Sequence, residues 1–234
     1  MRQLRTAVRT VAFAGAFAAA TAARAQTPFT ITFDALTSPT TTTDIQSPTF
    51  APDPRLSGGP MLITTQSTVS GQGFASWGSV DAGANYTGSA ALFGALPNTQ
   101  INLLNTNAAI GFDLYSLDLA PLFAPSTLGL AAIPQFQITF NGRALGGSTF
   151  FQQTFTILSQ SGVRPAYQRL AFDTRFRNLA QVAWFNSAVG CTADQCLHQF
   201  DNVTGAVVPE PSTVVLTLTG LAGLAAAARR RRAA

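Results

Sequence analysis

No stretch between residues 26 and 208 has the apolar spacing of a crossover helix. Parallel strands need such a connection, about a dozen residues or more in length. The chain offers instead short runs with apolar residues at every second place, divided by Gly, Pro, Asn and Asp. That period belongs to strands with one buried face. Such strands bury their apolar sides when one antiparallel layer packs on another. The expected fold is all-β, an antiparallel two-sheet sandwich of about nine to eleven strands.

The run at residues 29–34 alternates with Phe29, Ile31 and Phe33 on one face. Residues 35–60 hold five prolines, which break ladders, and are expected to be a long loop with at most one edge strand. Short strands are expected at 61–66 and 86–93, and 74–77 is either another strand or the aromatic floor of a loop. Residues 109–117 place Phe112, Leu114 and Ser116 on one face and Asp113, Tyr115 and Leu117 on the other. Residues 122–134 suit a loop or a single helical turn. The cleanest strand is 135–140, and Asn141-Gly142 after it signals a hairpin turn with 148–158 as the returning strand. Phe150-Phe151 in that strand suggests a bulge or burial on both sides. Strands at 169–172, 179–186 and 197–203 complete the set, with Val182 and Trp184 turned inward and Phe185 outward.

Sixteen of the 18 phenylalanines lie between residues 26 and 208, enough apolar mass for one core. The whole-chain charge of +4 comes from the ends. Residues 26–208 hold six arginines against nine aspartates and no lysine, a net −3. That balance excludes a nucleic-acid footprint.

Both ends read as export signals. Arg2, Arg5 and Arg9 precede an apolar run at 11–20, and Ala23-Arg24-Ala25 has the shape of a signal-peptidase site. Residues 1–25 are therefore a signal peptide, cut before Gln26. At the other end Pro209-Glu210-Pro211-Ser212 leads into an uncharged apolar run and then Arg229-Arg230-Arg231-Arg232. The 16 residues 213–228 would span roughly 24 Å as a helix. That is short for a lasting membrane span but fits a tail anchor in the inner membrane, with the arginines as a stop on the cytoplasmic side. The arrangement resembles the PEP-CTERM sorting signal. The resemblance implies an exported protein of an exopolysaccharide-making Gram-negative cell, and processing of the tail by an exosortase. Pro209, Glu210 and Pro211 are then recognition residues. The expected organisation is 1–25 signal peptide, 26–206 β-sandwich domain and 207–234 sorting signal.

The middle of the chain is similar to the β-sandwich ectodomains that precede this signal. The likeness rests on residues 111–119, on 136–142 and on the closing His198-Gln199-Phe200-Asp201-Asn202-Val203. Many of these look like jelly-roll carbohydrate-binding modules, so a jelly-roll-like form is implied. First and last strands of a jelly roll are neighbours. Asp34, Asp201 and Asn202 would then meet at one edge and could hold a structural calcium ion, which takes oxygen ligands. The alternative is that Asp34 caps a turn and Asp201 faces solvent or accepts a backbone hydrogen bond.

Cys191 and Cys196 are the only cysteines. In an exported chain they are expected to form a disulfide. A metal site using both thiols and His198 is the other arrangement. No catalytic set assembles. One histidine rules out metalloprotease spacing, no Gly-x-Ser-x-Gly elbow is present, and no carboxylate pair is singled out. Sugar binding would use exposed rings, with Trp77 and Tyr115 the first candidates and Tyr86, Tyr167 and Trp184 behind them. The expected function is a non-catalytic exopolysaccharide-binding module outside the cell. The alternative is a structural or protein-interaction component of the envelope or biofilm.

Overall fold

The computed structural model describes residues 26–34, 43–45, 57–58, 61–66, 74–77, 84–94, 99–185, 192–208 and 220. Thr27–Glu210 forms one compact unit. Its strands are β1 Thr27–Ile31, β2 Thr43–Ile45, β3 Ser57–Gly58, β4 Met61–Gln66, β5 Phe74–Trp77, β6 Ala91–Gly94 and β7 Gln100–Asn105. They continue with β8 Gly111–Pro121, β9 Phe136–Ala144, β10 Phe150–Ile157, β11 Gln168–Ala171, β12 Leu179–Phe185 and β13 His198–Val208. A 3-10 turn at Pro125–Leu128 fills the expected loop between β8 and β9.

Every ladder among the described residues is antiparallel. The all-β antiparallel expectation therefore holds. The two-sheet description needs amending, because the 13 strands form one connected sheet. It divides into two groups of ladders. The first runs β2-β5-β6-β13-β8-β11, with β1 beside the second half of β13. The second runs β3-β4-β7-β12-β9-β10. One cross-strand pair, Leu179↔Phe112, joins them.

The two groups pack on each other through aromatic rings. Trp184 of β12 meets Phe200 of β13 edge-on at 5.2 Å and Phe140 of β9 at 5.1 Å. Phe172, just after β11, meets Phe140 at 5.1 Å and Phe155 of β10 at 5.2 Å. All but Phe155 are buried, in one continuous core with Phe33, Phe112, Leu114, Leu117 and Leu119.

A second seam joins the outer strands of the groups, and glutamines make it. The Gln153 amide donates to the Ala171 carbonyl at 3.3 Å and accepts from the Asp173 N–H at 3.0 Å. The Gln168 amide donates to the Thr156 carbonyl at 2.9 Å and accepts from the Leu158 N–H at 3.1 Å. Each side chain thus pairs with the other strand's backbone as a neighbouring strand would. Open sheet edges invite pairing with foreign chains, and these amides occupy part of two such edges.

Several local expectations are corrected. Asn141-Gly142 lies inside β9, and the turn comes later, with Gly146 at φ 69°. Gly142 stands opposite Phe151, whose ring occupies the place a Cβ would take. The glycine therefore serves ring packing across the ladder. Phe150 is 67% exposed in an unbroken ladder, so it marks neither a bulge nor double burial. Residues 86–90 are loop, and only Ala91–Gly94 is strand. The β7 strand was not expected at all. In β8 both Leu114 and Leu117 reach the core, because the register with β13 shifts between Asp201 and Thr204 and again before Gly205. Such bulges change which face a side chain takes. The closing strand runs to Val208, two residues past the expected domain boundary at 206.

Candidate functional site

Strands β1 and β13 do pair, Thr27↔Val207 through Ile31↔Val203, which brings Asp34 towards Asp201. Asp201 is buried and accepts hydrogen bonds from Ser89 Oγ at 2.9 Å and from the Asn202 N–H at 2.7 Å. Burial raises its pKa, the charge of Asp34 adds to this, and hydrogen bonds from Asn202, Ser89 and Phe33 oppose it. Asn202 sits at φ 51° in the bulge, and its Nδ2 donates to Asp118 Oδ2 at 3.0 Å. Tyr167 lies against the same group, its pKa pushed up to about 12, mainly by burial. Asp201, Asn202 and Tyr167 thus find partners within the chain. Among the described residues no three His, Cys, Asp or Glu side chains stand together as a metal site.

Tyr115 is half-buried, and the Arg177 guanidinium lies 4.6 Å from its ring centre. Arg177 is fixed there by the Leu114 carbonyl at 2.7 Å and by Asp113, 3.8 Å from its Nε. Trp77 closes β5 opposite Ala91, and its side chain lies outside the described residues. Trp184 is core, as its place in the alternation implied. Cys196 is buried, and Cys191 lies outside the described residues.

His198 is fully buried, with Nδ1 3.4 Å from the Cys196 carbonyl and Nε2 unpartnered. Burial lowers its pKa from 6.5 to about 4. The unfolded chain therefore takes up this proton at higher pH than the folded one. The contribution of neutral His198 is complete above about pH 6.5 and is lost as the pH falls towards 4. Asp201, with its raised pKa, acts oppositely at the acid end, where its protonation favours the fold. The urea midpoint is expected to fall between pH 7 and pH 5 by the equivalent of about 2 kcal/mol. A His198→Leu variant should lose this fall, and an equal slope in both proteins would contradict the assignment.

A set of outward polar side chains lies on the outer face of β9, β10 and β12. Inward Ile138 and Phe140 leave Gln137, Thr139, Asn141 and Arg143 outward in β9. Gln152 and Thr154 are their cross-strand partners in β10. Gln152 Nε2 donates to Asn141 Oδ1 at 2.7 Å, and the Thr139 and Thr154 hydroxyls bond at 2.8 Å. In β12, Gln181 Nε2 donates to Asn102 Oδ1 at 2.7 Å, and Gln100 Nε2 donates to the same oxygen at 2.7 Å. The Arg143 guanidinium reaches Gln181 Oε1 at 3.4 Å. Phe150 and Phe185, 67% and 47% exposed, stand at two corners of this face. Arg143 is the only ionic group among its outward residues. The amides hold one another in place, so their remaining donors and acceptors are oriented before any ligand arrives. This face was missed in the sequence, although the outward phase of 135–141 reads Gln, Gln, Thr, Asn.

The carboxyl end decides where the protein goes. A family model for the PEP-CTERM protein-sorting motif matches residues 207–232. The chain carries a PEP-CTERM sorting signal. It is thereby marked as an exported exosortase substrate with a membrane-anchored precursor. No curated protein and no solved structure matches the chain. The PEP-CTERM match begins inside β13, where Val207 and Val208 pair with Phe112 and Gly111. The sorting tripeptide Pro209-Glu210-Pro211 thus follows the last strand directly. It lies outside the described residues, as do residues 1–25 and Arg229–Arg232. Among the described residues no helix is long and apolar enough to cross a membrane. The expected tail helix at 213–228 lies outside them, Gly220 apart.

Proposed function

We propose that this exported exosortase substrate is a non-catalytic polysaccharide-binding module of the cell surface or extracellular matrix. The observation that carries the reading is an export-sorted domain with an ordered, nearly uncharged amide and hydroxyl face. Sugar hydroxyls both donate and accept, and side-chain amides match both roles. In the same reading residues 1–25 are removed as a signal peptide, and 213–228 holds the precursor in the inner membrane until exosortase acts, with Arg229–Arg232 as the stop. The domain is jelly-roll-like, and Cys191 pairs with Cys196. The second point is supported by the lack of a free cysteine among the described residues.

The test is binding of the full chain, purified in detergent, to exopolysaccharide from the producing cells. Saturable binding is expected. No binding by folded protein would move the assignment to a structural or protein-interaction role in the envelope or biofilm. Repeating the titration with calcium and with chelator tests a structural calcium at Asp34, Asp201 and Asn202. Weakening by chelator would support that ion.

A further inference from the structure

The outer face of β9, β10 and β12 has a directional pattern that bears on which polysaccharide it takes. Phe150 shares a row with Arg143 and Gln181, by way of the pairs Phe150↔Arg143 and Arg143↔Gln181. The next row is Gln152, Asn141 and Ala183. Phe185 lies two residues further along β12 than Ala183 and is outward again. The two rings therefore sit at opposite corners, two strands and four residues apart. Strand geometry puts their backbones roughly 16 Å from each other. The diagonal between them crosses Asn141 on the middle strand, with Gln152 and Ala183 on either side of it.

We infer that an extended, uncharged polysaccharide chain lies along this diagonal. This rests on the polysaccharide reading above. The apolar C–H faces of its rings would cover Phe150 and Phe185, and its hydroxyls would bond the Asn141 and Gln152 amides between them. The charge pattern selects an uncharged ligand. A polyanion would be met by a single guanidinium on this face, far from the several cations that polyanion binding uses. The guanidinium also already contacts Gln181. A polycation would meet no carboxylate among the outward residues of these three strands. Recognition through amides and rings leaves little for salt to screen.

The experiment separates the exopolysaccharide of the producing cells by anion exchange into uncharged and acidic fractions. Each is titrated with the full chain in detergent, at low salt and at about 0.5 M salt, where the screening length is only a few Å. The expected result is binding to the uncharged fraction that salt leaves unchanged within twofold. An Asn141→Ala, Phe185→Ser double variant should bind about tenfold or more weakly, with an unchanged melting curve. Tyr115→Ala, which is off this face, should bind as the parent does. Binding confined to the acidic fraction, or full affinity in the double variant, would overturn the inference while leaving polysaccharide binding intact. Absence of binding to both fractions would remove the underlying reading as well.

Discussion

Trp184→Ala is expected to remove about 3–5 kcal/mol of folding stability, the usual cost of emptying a large aromatic site in a core. Trp184 is fully buried and touches Phe140 on its own side of the core and Phe200 on the other. Truncation would leave a cavity between the two groups of ladders, where neighbours fixed in strands can close in only partly. Marginal domains hold about 5–15 kcal/mol in all, so this is a large share. The indole N–H has no partner, so Trp184→Phe keeps most ring contact and loses no hydrogen bond. It should cost a small part of the alanine value. Urea unfolding of both variants at pH 7 measures this. An alanine variant within about 1 kcal/mol of the parent would contradict the placement of Trp184 between the layers.

Gly205→Ala is expected to be nearly as costly by the opposite route. A Cβ at Gly205 would overlap the Asp113 carbonyl oxygen and come 2.5 Å from Phe29 Cζ. Gly205 pairs with Leu114 on one side and Phe29 on the other, in the middle of a three-strand ladder. Neither backbone can move aside without breaking that ladder, and Phe29 is packed edge-on against Phe112 at 6.5 Å. Overpacking typically costs about 1–3 kcal/mol, and a clash with backbone belongs at or beyond the upper end. A Phe29→Leu, Gly205→Ala double variant should recover only the part due to the ring. A single variant as stable as the parent would show that β1 does not lie tightly on β13.

The parts of this fold legible in the sequence are those set by local alternation. Phe29, Ile31 and Phe33 are buried and Thr30 and Thr32 exposed because a strand with one face on the core has period two. Met61 and Ile63 are buried in β4 for the same reason, whereas Phe74, Ala75 and Ser76 of β5 are all buried. The pairing of the first strand with the last came from the jelly-roll resemblance and holds, but the bulge at Asn202 was not legible. The bulge puts it at positive φ, and its amide reaches Asp118. Bulges depend on how two distant strands meet, which neither strand reveals alone. The same limit hid the role of Gly142, which follows from Phe151 across the ladder, and the seam made by Gln153 and Gln168. Tyr115 looked free for a ligand because its strand neighbours were core. Arg177, distant in sequence, covers the ring. The amide face went unseen because Gln, Asn and Thr on the outer side of a strand look like ordinary surface until several strands align.

The closeness of the sorting signal to the fold has a consequence for processing. Four residues, Pro209 to Ser212, separate Val208 from the apolar run. They reach at most about 14 Å when extended. In the proposed reading, with the apolar run holding the precursor in the inner membrane, the polysaccharide-binding role requires that the tail be cut. The direct test is the intact mass of the protein recovered from the surface of the producing cells. A chain that starts at Gln26 and has lost residues 213–234 is the predicted result. A mature protein that still carries Arg229–Arg232 would contradict exosortase processing and leave the domain at the inner membrane.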